Sequence, residues 1–109
     1  MDIKTALRNA IDWIEANPYK VTNIVLARNS DGQEVSPTSK EAVSWCVVGR
    51  IAYELGLDQD IYVEIDELLI ELPGFNKTSV PTRTIWRIND FSYDHADKVK
   101  KLKELFVDV

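Results

Sequence analysis

The chain has one cysteine and one histidine in 109 residues. A single cysteine excludes an internal disulfide. Cys46 lies inside an apolar run, so it reads as a small buried residue of an intracellular protein. One cysteine and one histidine leave a zinc site to carboxylates at unusual spacing, so no metal and no cofactor is expected. No apolar run approaches the roughly 18 residues that cross a bilayer. The start, Met1-Asp2-Ile3-Lys4, enters a helix pattern at once, without the basic region and apolar block of a signal peptide. A cytoplasmic location without membrane contact is therefore expected. Cations are outnumbered, with 13 Lys and Arg against 18 Asp and Glu and a net charge of -5. Direct nucleic-acid binding needs a basic face to displace counterions and is not expected. The chain also lacks a glycine-rich phosphate loop and a serine motif of the strained-elbow type, so no catalytic residue is assigned.

What is present describes one folded domain over residues 1–109. Hydrophobic residues make up 45% and charged residues 28%, the balance of a globular chain with a real core. Ile3, Leu7, Ala10, Ile11 and Ile14 recur at helical spacing, with Asp2 as N-cap and Asn17-Pro18 as the stop, which predicts a helix over 2–16. Ile24-Val25-Leu26-Ala27 meets the turn signal Asn29-Ser30-Asp31-Gly32, which predicts a small β-hairpin near 24–35. A second helix is predicted over 40–55, capped by Thr38 or Ser39 and stopped by Gly56. It is apolar nearly all round, so it is the central element. Ala42, Cys46 and Gly49 fall on one line of it. A mid-helix glycine costs about 1 kcal/mol against alanine, so close approach by another element is the expected compensation at Gly49.

A third helix is predicted over 59–72, capped by Asp58, stopped by Pro73-Gly74, and buried along Ile61, Ile65, Leu68, Leu69 and Leu72. Residues 76–81 read as a loop and 82–88 as a short helical segment. A last helix over 94–107 would bury His95, Val99, Leu102 and Phe106. The fold expected is mainly α, with about four principal helices and the small hairpin.

Several of these residues resemble a known pattern. The set Ala27-Arg28, Asp31-Gly32, Val35, Ala42, Trp45-Cys46 and Gly49, then Trp86, Asn89-Asp90 and Val99, resembles a family of small proteins of unknown function from actinobacteria and their phages. That pattern places a tryptophan directly before Asn-Asp; here Ile88 takes the place and Trp86 lies two residues earlier. The resemblance implies no activity. It implies a setting: a small, phage-borne accessory protein.

Two constellations are candidate sites. Asn89, Asp90 and His95, with Trp86 beside them, bring an amide, a carboxylate and an imidazole to the start of the last helix. They would bind a nucleotide-like small molecule, or Asp90 and His95 would act as the acid–base pair of a small hydrolase. The plainer reading is that Asn89 and Asp90 satisfy backbone groups at helix ends and His95 fills the core. On the third helix, Asp60, Glu64, Glu67 and Glu71 share one line, with Val63 and Ile70 beside it, also outside the buried stripe. Acid with exposed aliphatics makes a protein interface. The alternatives are a solvated face, or pairing with Lys98, Lys100, Lys101 and Lys103. Trp13, Trp45 and Trp86 would stack on a flat ligand or, in the plainer reading, fill the core. The leading expectation is a non-enzymatic binding protein that contacts a host factor, including a defence factor, by sequestering a small ligand or blocking a protein partner.

Overall fold

Asp2 opens the first helix as its sequence predicts: the carboxylate accepts a hydrogen bond from the Thr5 amide at 2.8 Å, satisfying an otherwise orphaned donor. The computed structural model describes residues 1–75 and 80–106. Helix α1 (Ile3–Ala16) buries Ala6, Leu7, Ala10, Ile11 and Ile14, the apolar stripe of a 3.6-residue repeat. Asn17 ends it and returns its side-chain amide to the Trp13 carbonyl at 2.9 Å.

A short antiparallel pair follows, β1 (Ala27–Arg28) with β2 (Ser44–Trp45), Ala27 opposite Trp45 and Arg28 opposite Ser44. The turn after β1 forms as expected. Asn29 Oδ1 accepts from the amides of Asp31 and Gln33, and Gly32 takes a φ of 80°, which only glycine adopts without penalty. Arg28 also bridges Glu34, so β1 draws partners from both ends of the loop.

Helix α2 (Val47–Leu55) is the centre of the fold. It packs most extensively on α1 and also touches α3 (Ile61–Leu69) and α4 (Pro81–Phe91). Helix α5 (His95–Leu105) closes the bundle against α1 and α4. A 3₁₀ turn at Pro73–Phe75 drives Phe75 into the core. The architecture is thus mainly helical with one small sheet, and among the described residues no helix is long and apolar enough to cross a membrane.

The boundaries of the second helix are corrected. It begins at Val47 with Cys46 as N-cap, whose Sγ accepts from the Gly49 amide at 3.2 Å, and not at Lys40. The reason is competition for backbone groups. The Trp45 amide donates to the Lys20 carbonyl and the Cys46 amide to the Leu26 carbonyl, each at 3.1 Å, so 44–46 are committed to strand-like pairing. Ser36 and Ser39 make local side-chain turns instead of a helix cap, and Trp45 Nε1 anchors the segment by donating to the Pro37 carbonyl at 2.9 Å. Ala42 therefore does not share a helix face with Cys46 and Gly49. The stop at Gly56 is as expected, with φ 71° and Leu57 bonded back to Ala52.

Helix α3 is shorter than its pattern, because Asp60, at φ 50°, turns the chain just before it and Leu69 ends it. Asp60 rather than Asp58 holds the N-cap position, and no side-chain cap bond forms there. Leu68, assigned to the buried stripe, is 40% exposed. The loop expected over 76–81 lies mostly outside the described residues, though Pro81 already belongs to α4; the last helix, expected to reach 107, is corrected, ending at Leu105 with Phe106 as its C-cap and only half-buried.

Arg50 on α2 binds the tryptophans together. Its guanidinium lies 4.0 Å from the Tyr53 ring centre, 4.5 Å from Trp13 and 4.7 Å from Trp45, with Glu54 at 3.8 Å. Trp13 meets Trp45 edge-on, so both tryptophans serve packing. Burial lowers the Arg50 pKa, opposed by Glu54 and Tyr53, and Nε makes no hydrogen bond. Ring faces thus replace water as its partners. Arg50→Lys keeps the charge but loses the planar stack. It is expected to cost about 1 kcal/mol, read as a lower urea midpoint at unchanged m-value.

Candidate functional site

Asn89 lies at the junction of α4, α2 and the segment before β1. It is buried, 2% exposed. Its Oδ1 accepts from the Val47 amide, the first of α2, at 3.0 Å. Its Nδ2 faces the Thr22 carbonyl at 3.0 Å, Asn23 Oδ1 at 3.2 Å and Asp90 Oδ1 at 2.9 Å. One amide thus caps a helix from a neighbouring helix and pins the chain at 22–23. Asp66 on α3 does the same for α4, accepting from the Thr82 amide at 2.7 Å. For Asn89 the capping role read from sequence is the geometry found, although the helix it caps is not its own neighbour in the chain.

Asp90 turns the other way. Its Oδ1 also takes the Ile24 amide at 3.4 Å, and its side chain lines a cavity of about 370 Å³ with Ile24, Cys46, Tyr62, Trp86 and Phe91. Ile24 carries the sharpest anomaly in the chain. It is a β-branched residue at φ 75°, a conformation that costs about 1–2 kcal/mol for such a side chain. Its side chain gains no core burial in return, being 83% exposed. The polar contacts from Asn89 and Asp90 hold the strained segment in place. Phe91 is 74% exposed and lies 6.1 Å from the ring of Trp86. A shallow apolar groove results, walled by α3 and α4 and edged by Ile24.

The groove's polar groups are muted. Burial pushes the Cys46 thiol up to about 11, so at neutral pH it is a protonated apolar wall and not a nucleophile. Burial also raises the Tyr62 hydroxyl, with Cys46 and Asp90 adding to the effect. Lys98 is lowered by burial, against the pull of Asp90.

His95 does not join Asn89 and Asp90. Its Nε2 lies 3.4 Å from the Glu15 carbonyl on α1, and it lines a separate depression with Val99, Lys100 and Lys103. The expected burial of His95 is therefore corrected: it is half-buried at the α1–α5 seam, because α5 turns Val99 and Leu102 to the core and leaves its first turn at the edge. The geometry brings no imidazole to Asp90. Among the described residues, no three His, Cys, Asp or Glu side chains converge as a metal site requires.

The acidic residues are on the surface, but the expected line is corrected: only Glu64 and Glu67 fall within α3, Asp60 preceding it and Glu71 following it. Asp60, Glu64, Glu67 and Glu71 are exposed, as are Val63 (57%) and Ile70 (36%). At 100° per residue, Tyr62 borders the buried stripe, Asp66, Ile70 and Val63 come next, and Glu67 and Glu64 lie on the far side of α3 from Tyr62. The groove therefore opens toward aliphatic surface, and these carboxylates face away from it. The α5 lysines do not neutralise them: among the described residues their ion pairs run from Lys101 to Asp97 and from Lys103 to Glu15.

Sequence reasoning found Trp86 and Asp90 and missed Ile24, Tyr62 and Phe91. Tyr62 and Phe91 were legible as aromatics off the buried stripes. Nothing in Asn23-Ile24-Val25 announces a left-handed isoleucine. No protein-family profile matches the chain, and neither a curated protein nor a solved structure matches it.

Proposed function

We propose that this protein is a non-enzymatic binding module that blocks a protein partner by taking an apolar side chain into the groove between α3 and α4. The observation that carries this is Ile24, held at φ 75° with its side chain 83% exposed beside Tyr62, Trp86 and Phe91. A strained, exposed aliphatic residue contributes nothing to folding, and strain of this kind collects at binding sites. Exposed apolar groups gathered around a depression with a polar border are the anatomy of a contact surface. In the setting implied by the sequence resemblance, that of a phage-borne accessory protein, the partner is a host factor. Val63 and Ile70 extend the contact.

The test separates binding from folding. Ile24→Gly relieves the backbone strain and removes the side chain, while Phe91→Ala trims an exposed ring. Ile24→Gly is expected to leave stability unchanged or raise it by up to about 1 kcal/mol, measured by urea unfolding. A random-peptide display library is then selected on the parent protein and on both variants. Peptides retained by the parent and lost by both folded variants support docking at the groove. Equal retention by all three proteins overturns it.

A further inference from the structure

The groove holds an acceptor without a donor. Among the described residues lining the cavity, Asp90 alone is charged at neutral pH, and its two oxygens are used unequally. Oδ1 accepts from Asn89 Nδ2 at 2.9 Å and from the Ile24 amide at 3.4 Å. Oδ2 accepts no hydrogen bond and joins no ion pair among the described residues. Asp90 is part-exposed, so solvent meets that demand while the groove is open. The other walls are mostly aromatic. Trp86 and Phe91, with ring centres 6.1 Å apart and planes at 53°, form one corner, and Tyr62 stands on the α3 side. Two cations flank the site. The Arg87 guanidinium lies 5.9 Å from the Trp86 ring centre, and half-buried Lys98 is drawn by Asp90 without reaching ion-pair distance.

Resting on the docking function proposed above, we infer that the side chain taken into the groove is an aromatic ring carrying a neutral hydrogen-bond donor, the indole of a partner's tryptophan or the phenol of its tyrosine. Any occupant that covers Asp90 strips water from Oδ2, and an unpaired carboxylate oxygen is costly to bury. A leucine, methionine or phenylalanine anchor incurs that cost. An N–H or O–H donor removes it through a charge-assisted bond. The charge of the donor is limited from both sides. An anion would meet Asp90, and a lysine or arginine would meet like charge at Arg87 and Lys98. A neutral donor on an apolar body remains. The walls suit a ring, because aromatic groups pack offset or edge-to-face at centroid distances of about 4.5–7 Å. Tryptophan and tyrosine combine that large apolar body with one polar tip, which is why they recur as interface anchors.

The experiment reads the anchor residue of the peptides selected on the parent protein and adds an Asp90→Asn variant. The asparagine oxygen keeps the bonds to Ile24 and Asn89, and its amide sets N–H groups where Oδ2 was, so donor meets donor. The inference expects Trp or Tyr at the anchor. Replacing that anchor with a ring that lacks the donor, benzothienylalanine for Trp or Phe for Tyr, should weaken binding to the parent by about tenfold or more, the effect of losing one charge-assisted bond. Asp90→Asn should weaken the Trp or Tyr peptide by a similar factor, yet bind the donor-less peptide within about twofold of the parent, as a double-mutant cycle requires of a direct contact. Aliphatic, phenylalanine or cationic anchors that are still lost with Ile24→Gly and Phe91→Ala overturn the inference and leave the groove standing. So do Trp or Tyr peptides indifferent to loss of the donor. Peptides indifferent to Ile24→Gly and Phe91→Ala overturn both.

Discussion

Gly49→Ala is expected to destabilise the protein by about 3 kcal/mol or more. A Cβ at Gly49 would sit 1.9 Å from the carbonyl oxygen of Leu26 and 2.7 Å from its carbon. The obstacle is backbone, so no rotamer change relieves it. The same Leu26 carbonyl accepts from the Cys46 amide at 3.1 Å, just where the chain passes from β2 into the N-cap of α2. Moving Leu26 away therefore breaks the contact that starts the central helix. Alanine would gain helix propensity of about 1 kcal/mol, well short of that loss. Circular dichroism during urea titration checks this; a midpoint within error of the parent would show that the segment before β1 gives way freely.

Asn89→Ala is the second large effect, expected at about 2–4 kcal/mol. The substitution leaves the Val47 amide buried without its acceptor, which alone costs about 1–3 kcal/mol, and empties space in a site that is 2% exposed. It also releases the Thr22 carbonyl and Asn23, so the strained Ile24 loses its anchor. Asp90→Ala is the control. Asp90 is part-exposed, and its bond to the Ile24 amide is long at 3.4 Å, so less than about 1 kcal/mol is expected from stability while groove-dependent binding weakens. Equal losses from the two substitutions would mean that the pair acts as one structural latch and not as anchor and site.

The contrast between these residues shows what could be read in advance. Local features of the sequence acted locally. Asp2 capped α1 and Gly56 stopped α2 as read; Asp94, read as the first residue of the last helix, caps α5 by accepting from the Asp97 amide at 2.8 Å, and Pro81, read as the end of a loop, opens α4. Each depends on groups within about four residues, so the sequence window contains the whole cause. Gly49 was legible for a related reason: a glycine inside an apolar helical run has a cost that only a close neighbour offsets. The pattern over 40–46 misled because its apolar spacing suits a helix. Its amides were taken instead by Lys20 and Leu26, residues remote in the chain, and hydrophobic spacing carries no record of such a competitor.

The sequence by itself determined a mainly helical chain, the buried stripes of α1 and α3, the turn at Asn29–Gly32, the tight packing at Gly49 and an acidic third helix. Those follow from periodicity, from glycine and proline stereochemistry and from the order of charges. Only the tertiary structure decided that Asn89 caps α2, that His95 lies at the α1–α5 seam away from Asp90, and that Ile24 stands strained beside Tyr62, Trp86 and Phe91. Each of these joins groups tens of residues apart, so their distances are set only once the helices have packed.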